Sequence, residues 1–298
     1  MANHLPTEKK LAVLGALVEG CSIRSTERLT GVHRDTITKL LVRVGEGCAS
    51  ILDEKMRDLY CVRLELDELW AFVGKKQRHV TAEDDAGRVG DQWTYVAIDA
   101  DTKLIPSFLV GKRTAENTNA FVSDVAARLS NRVQISTDGL KMYVDAITAA
   151  FGSDQIDYAQ IVKSYEADAV GPGRYSPPKV ASTEKTPIFG QPIAEYVSTS
   201  YVERSNLSMR MGMRRFTRLT NAFSKKLENH CAAVALYLAH YNFVRTHRTI
   251  RMPPALAAGV ATHQWELAEL LAVSEARTSE DSMSGNRTSS DRTSDGDP

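Results

Sequence analysis

The chain has 298 residues, 43% of them hydrophobic, and its 37 basic side chains are cancelled by 37 acidic ones. That length holds one large domain plus a small one around a sizeable core, and the cancellation leaves overall charge silent about a polyanionic partner, so charge has to be read segment by segment. Cys21, Cys48, Cys61 and Cys231 are scattered without a CxxC pair, which argues against a zinc ribbon or a disulfide framework and leaves reduced core thiols. No apolar run approaches a membrane span, and the opening residues lack the layout of a signal peptide, so a cytoplasmic chain is expected.

In chain order, Thr7 is a candidate cap for a first helix in which Leu11, Val13, Leu14, Leu17 and Val18 recur at helical spacing. Ser22 caps a second helix that Gly31 stops, and a third restarts at Val32 with Ile37, Leu40, Leu41 and Val44 on one stripe. Helix, tight glycine-bearing turn and helix is the layout of a helix-turn-helix module, whose second helix can lay its first residues against base edges. Here those are His33, Arg34 and Thr36, with Lys39 a turn later. Glu46 to Leu59 reads as a polar-sided linker helix, closing a domain over 1–59.

From Cys61 the period changes to two. Val62, Leu64 and Leu66 alternate with Arg63, Glu65 and Asp67, predicting a strand that ends on Asp67. A charged hairpin loop over 75–90 leads to a second strand at Trp93–Ile98 and a third at Leu104–Val110, where Pro106 favours an edge position. Thr114 caps a helix with Ala120, Val122, Val125, Ala126 and Leu129 inward. A fourth strand covers Val133–Thr137, a helix Lys141–Phe151 and a fifth strand Tyr158–Val162. This order belongs to a mixed α/β sheet with the first and fourth strands as neighbours, the helix between them giving the crossover.

Residues 164–200, rich in Gly and Pro, read as an irregular insertion. Helices follow at Tyr201–Met213 and Ser224–Tyr241, then a helical segment over 251–273. The Ser- and Asp-rich tail 274–298 is expected to lack structure. Between Tyr201 and Arg251 ten bases face only Glu203 and Glu228, a block suited to a polyanion or to a solvated helix face. Its candidate contacts are Arg204, Arg210, Arg214, Arg215, Lys225 and Lys226.

A carboxylate at the end of an apolar strand is costly to bury unless a cation neutralises it. Asp67, Asp138 at the end of the fourth strand and Glu203 in the first turn of a helix would together hold a pair of divalent ions, about 3.5–4 Å apart, for phosphoryl transfer. Glu203, Leu207, Arg210 and Arg214 fall near one helical face. Singly, Asp138 before Gly139 is equally a turn former, Asp67 or Glu68 a loop-end charge, and Glu203 a first-turn residue favoured by the helix dipole.

The segments Glu65-Leu-Asp67-Glu-Leu-Trp70-Ala-Phe-Val-Gly74, Ser136-Thr-Asp138-Gly and Tyr201-Val-Glu203-Arg-Ser-Asn206 through Arg210 resemble the three acidic motifs of bacterial insertion-sequence transposases, the insertion-sequence-one family most closely. His33-Arg34-Asp35-Thr36 and Phe223-Ser224-Lys225 resemble segments flanking that family's core, and the similarity runs from about Ile23 to His247. The resemblance implies a ribonuclease-H-like catalytic domain over 60–250, Mg²⁺ or Mn²⁺ on Asp67, Asp138 and Glu203, and Arg210 as the basic residue that follows the Glu. It further implies cleavage and strand transfer on double-stranded DNA at the inverted repeats of a mobile element, by a homodimer or higher multimer associated with the nucleoid. Two departures stand out: the chain lacks cysteines for an N-terminal zinc segment, and its Asp138-to-Glu203 spacing is longer than the family pattern. A catalytically inactive helix-turn-helix regulator and a ribonuclease-H-like nuclease are the competing readings.

Overall fold

The computed structural model describes residues 5–165, 180–217 and 221–290, with 165 and 279–290 described as backbone only. In chain order the elements are α1 (Thr7–Val18), α2 (Ile23–Thr30), α3 (Arg34–Lys55), β1 (Arg63–Val73), β2 (Gly90–Asp99), β3 (Ser107–Gly111), α4 (Ala115–Arg128), β4 (Val133–Asp138), α5 (Lys141–Phe151), β5 (Ile156–Tyr165), β6 (Val180–Phe189), α6 (Ser200–Gly212), α7 (Leu227–Ala239), α8 (Pro254–Ala257) and α9 (Leu267–Ser290). They group into two compact units, one of Met1–Arg57, Trp70–Trp93 and Leu207–Pro298, the other of Asp58–Leu69 and Thr94–Asn206.

In the first unit Ser22 caps α2 by accepting the Ser25 amide (3.0 Å), and Gly31 ends it in the left-handed conformation, as its sequence implies. Thr7 is the first residue of α1 rather than its cap, a place taken by Pro6 without a side-chain hydrogen bond. The supposed polar linker helix is the second half of α3. Gly45, Gly47, Cys48, Ile51 and Leu52 are buried there, because α3 packs against both α7 and α9. A Cβ on Gly45 would lie 2.4 Å from the Ala232 carbonyl oxygen, and one on Gly47 2.1 Å from that of Ser274. These glycines let the backbones approach where any side chain would hold them apart.

Ser274 is fully buried, and Glu275 lies between Lys10 (2.9 Å) and Arg43 (2.5 Å). The stretch from Ser274 that composition marked as unstructured therefore continues α9, held by tertiary contacts that composition does not register; residues 291–298 lie outside the described residues.

The second unit carries most of a six-stranded sheet in the order β3-β2-β1-β4-β5-β6. β1 and β4 are parallel, as are β4 and β5, whereas β6 is antiparallel to β5. The sheet is mixed and flanked by helices, and the neighbouring first and fourth strands are as expected. Thr114 caps α4 through the Asn117 amide (3.3 Å). The inward stripe of α4 runs through Thr118, Phe121, Val122, Val125 and Arg128, with Ala120 exposed.

Three expectations are corrected. β1 does not stop at Asp67; it continues to Val73 because Leu69, Ala71 and Val73 are buried in turn. Part of the supposed irregular insertion is β6, an edge strand where Pro187 is tolerated beside a register shift; residues 166–179 lie outside the described residues. Helix α6 ends at Gly212, so Arg214 sits in a separate 3₁₀ turn and leaves the helical stripe of Glu203 and Arg210.

The α3–α9 contact sets an expected outcome. Gly47→Ala should lower the unfolding free energy by roughly 3 kcal/mol through overpacking, read as a lower urea midpoint with an unchanged slope. An unchanged midpoint would show that the two helices do not approach this closely.

Candidate metal centre

Glu65, Asp67 and Glu68 all lie on β1, whose two-residue period sends Glu65 and Asp67 to one face and Glu68 to the other. The Asp67 and Glu68 carboxylates nevertheless converge. The parallel register pairs Leu66 with Thr137, so Asp138, the last residue of β4, stands level with Asp67, and past it β4 has ended. Side chains from either face of β1 can meet in the notch this leaves. One oxygen from each of Asp67, Glu68 and Asp138 lies within 4.8 Å of the other two, the one such group among the described residues.

Burial raises the Asp67 carboxyl to about 6; repulsion from Asp138 and Glu203 adds to the shift, while hydrogen bonds from the Glu68 amide and Asn206 oppose it. Burial likewise raises Glu68 to about 7; the Tyr143 hydroxyl and the charge of Arg113 oppose the shift, and Asp138 and Asp67 add to it. The Arg113 guanidinium lies 3.0 Å from Glu68 Oε2 and 3.9 Å from Asp138 Oδ2. The buried Tyr143 hydroxyl is close enough to feel Glu68, and burial carries its own pKa well above the ordinary value. That hydroxyl and Glu68 interact without reaching full hydrogen-bond geometry, which leaves both the hydroxyl and Glu68 Oε1 under-satisfied.

Three convergent carboxylates beside under-satisfied buried polar atoms fit a hard divalent cation with its water shell, and an all-oxygen donor set favours Mg²⁺ or Mn²⁺ over a thiophilic metal. The cluster accounts for one ion.

The face that carries Asp67 also anchors α6. Glu65 is 2% exposed, and its Oε2 accepts the amides of Tyr201 (2.7 Å) and Val202 (2.9 Å), two of the N–H groups that a helix start leaves without intrahelical partners. Burial raises the Glu65 carboxyl, while these amides, Ser198 and Lys103 pull it back. One turn further, Asn206 Nδ2 donates to Asp67 Oδ2 at 2.8 Å. Glu203 lies between these two tethers, exposed, accepting the Thr199 hydroxyl (2.7 Å) and paired with Lys163. Its charge reaches Asp67, but its carboxylate is not in the cluster.

Of the expected acids, then, the structure brings Asp67 and Asp138 together, holds Glu203 near Asp67, and puts Glu68 in the third position. Asp138 also does the turn-forming work allowed for it, its Oδ1 accepting the Leu140 amide (3.0 Å) ahead of α5. Glu65 and Arg113 were not singled out by the sequence. The sign for Glu65 was its place two residues before Asp67 on the same face; for Arg113 there was only a basic pair ahead of the Thr114 cap.

Among the expected polyanion contacts, His33 caps α3 by accepting the Asp35 amide on Nδ1 (3.3 Å), and Arg34, Thr36 and Lys39 are exposed on its first turns. Arg204, Arg214, Lys225 and Lys226 are exposed, whereas Arg210 and Arg215 are half-buried. Arg218, counted in the basic block, lies outside the described residues.

Two measurements check this geometry. A raised carboxyl pKa in the folded state favours folding below the ordinary carboxylate range, and that contribution disappears as pH rises through about 6 for Asp67 and about 7 for Glu68. Without divalent ions, thermal stability should therefore fall between about pH 5 and pH 8. Millimolar Mg²⁺ or Mn²⁺ should restore it at the upper end, do little at the lower, and do nothing at either in Asp138→Asn. Glu65→Gln, which weakens the tether of α6, should cost about 2 kcal/mol in urea unfolding; no loss would show that the two amides do not depend on the carboxylate.

No family model matches the chain, and no curated protein does. Solved structures include two that resemble it. With a crystal structure of the Mos1 strand transfer complex it shares 14% identity and a TM-score of 0.24, over 53% of this chain and 59% of that one. With a cryo-EM structure of the piggyBac transposase synaptic complex with hairpin DNA it shares 10% identity and a TM-score of 0.36, over 94% of this chain and 71% of that one. The resemblance to transposase structures is distant and places the chain in no particular family.

Proposed function

We propose that this protein is a metal-dependent DNA transposase of the insertion-sequence-one type, cleaving double-stranded DNA at the ends of a mobile element and joining them to a target. The observation that carries the reading is the notch beside β1, where Asp67, Glu68 and Asp138 come within 4.8 Å of one another from distant parts of the chain. Asp67 and Asp138, with Glu68, would hold a divalent ion, and Glu203, now paired with Lys163, would be the ligand for a second. The ions, when bound, activate a water or a 3′-hydroxyl and ease departure of the leaving oxygen. The residues around them have separate tasks. Arg113 balances part of the negative charge, Asn206 orients Asp67, and the burial of Glu68 keeps bulk water from its carboxylate.

In this reading the exposed His33, Arg34, Thr36 and Lys39 meet the element's end as the opening turns of a recognition helix. Arg204, Arg210, Arg214, Arg215, Lys225 and Lys226 contact phosphates, and the active form is a dimer or higher multimer on DNA. One observation favours a second reading: the acid completing the cluster is Glu68, not Glu203. A ribonuclease-H-like nuclease without strand transfer uses a comparable site.

The test is nicking and strand transfer on a duplex carrying the element's end, with Mg²⁺ or Mn²⁺. Asp67→Asn, Asp138→Asn and Glu203→Gln should each reduce both by roughly a thousandfold or more while end binding survives. Strand transfer that persists in all three ends the proposal. Cleavage confined to an RNA/DNA hybrid favours the nuclease, and binding without cutting favours an inactive regulator.

A further inference from the structure

The first unit contains a cleft of about 1140 Å³, bounded by the starts of α2 and α3, one side of α7 and the segments around 213–215 and 221–225. Its lining pairs an apolar floor, with Leu17, Leu41, Met213 and Leu236, with five cations, Arg24, Arg34, Arg214, Arg215 and Lys225. The one acid there, Asp35, already lies beside His33 (3.6 Å) and Arg34 (4.0 Å). No carboxylate among the described residues comes within ion-pair distance of Arg24, Arg214, Arg215 or Lys225.

Arg215 is the most informative of these. Its Nη1 donates to the Ser224 hydroxyl at 2.8 Å, and burial alone lowers its guanidinium to about 10. A half-buried cation with a neutral partner is costly to keep charged unless an anion arrives to meet it. Phe223, half-buried and packed on Phe72 with ring centroids 4.6 Å apart, supplies an aromatic wall held in place from behind.

The shape decides which anion. Duplex DNA is read by convex elements inserted into its grooves, and a cleft inverts that relation. A cationic rim around an apolar, aromatic interior is the arrangement that receives an unpaired strand, with base faces against aromatic side chains and phosphates on arginines. The volume is a little above the roughly 300–1,000 Å³ of small-ligand pockets, as a ligand of more than one nucleotide requires.

We propose that this cleft binds single-stranded DNA, an unpaired base lying against Phe223 and Met213 with its flanking phosphates on Arg215, Arg24 and Lys225. The choice of DNA rests on the reading of the chain as a DNA-processing enzyme. The cleft itself does not involve the acid cluster.

The test is fluorescence anisotropy of the full chain with a labelled single-stranded oligonucleotide of about eight nucleotides, in EDTA at about 0.15 M salt. Wild type should bind, with a duplex of the same length competing at least tenfold less well. Arg24→Glu, Arg215→Gln and Phe223→Ala should each weaken binding about tenfold or more. Arg24 is exposed, so its variant carries the test if Arg215→Gln fails to fold, as judged by circular dichroism and Tm. Asp67→Asn should bind like wild type; wild type that binds the oligonucleotide yet neither nicks nor joins a duplex end with Mg²⁺ or Mn²⁺ overturns the transposase reading and leaves the cleft standing. No binding by wild type, binding indifferent to the substitutions, or equal competition by duplex or by RNA of the same sequence overturns the cleft.

Discussion

Two acids adjacent on one buried strand, with a third level with them on the next, form the constraint around which the second unit is arranged. Desolvation dominates the shifts of both Asp67 and Glu68, so the cluster is held by its surroundings against the preference of carboxylates for water. A parallel β1–β4 pair supplies those surroundings. Such a pair needs a long crossover, and here the crossover passes through β2, β3 and α4. The loop from β3 into α4 delivers Arg113 to Glu68 and Asp138. The topology that sets two acids side by side thus also brings the cation that makes their proximity tolerable.

The face of β1 that carries Asp67 solves a second problem with the same kind of group. Glu65 gives its charge to the N-terminal amides of α6, and Asp67 gives an oxygen to Asn206. These two contacts fix the helix along its length and around its axis, which in turn fixes where Glu203 points. Glu203 nevertheless keeps an exposed carboxylate and a lysine partner. An acid so placed is anchored by its backbone and free to exchange its side-chain partner, which a ligand that acts only during turnover requires.

Much of this was legible in the chain. The alternation around Asp67, the β-rich run ending on Asp138, the crossover order and the caps at Ser22 and Thr114 all follow from local chemistry, and local chemistry is what sequence reports best. What stayed hidden depends on neighbours distant in the chain. Glu65 and Glu68 read as a polar face because nothing local shows that β1 is covered on both sides. The glycines of α3 look like helix breakers until Ala232 and Ser274 are seen against them. The residues around Ser274 look unstructured because composition registers polarity and not the half-buried ion pairs of Glu275. β6 was hidden by Pro187, which an edge strand accommodates.

The balanced charge of the whole chain conceals a division among its cations. Arg113 and Lys163 are each held to an acid in the second unit, so recruiting either to a phosphate would mean giving up an ion pair already made. The gain is then only the difference between two partners. Arg24, Arg214 and Arg215 of the cleft in the first unit face no such exchange, since among the described residues none of them has a carboxylate within ion-pair distance and Arg215 is met by the Ser224 hydroxyl. For a polyanion the second set provides nearly the whole interaction, less desolvation, and counterion release adds to it. Paired cations tune the acids they touch, unpaired ones are available to bind, and net charge cannot tell the two apart.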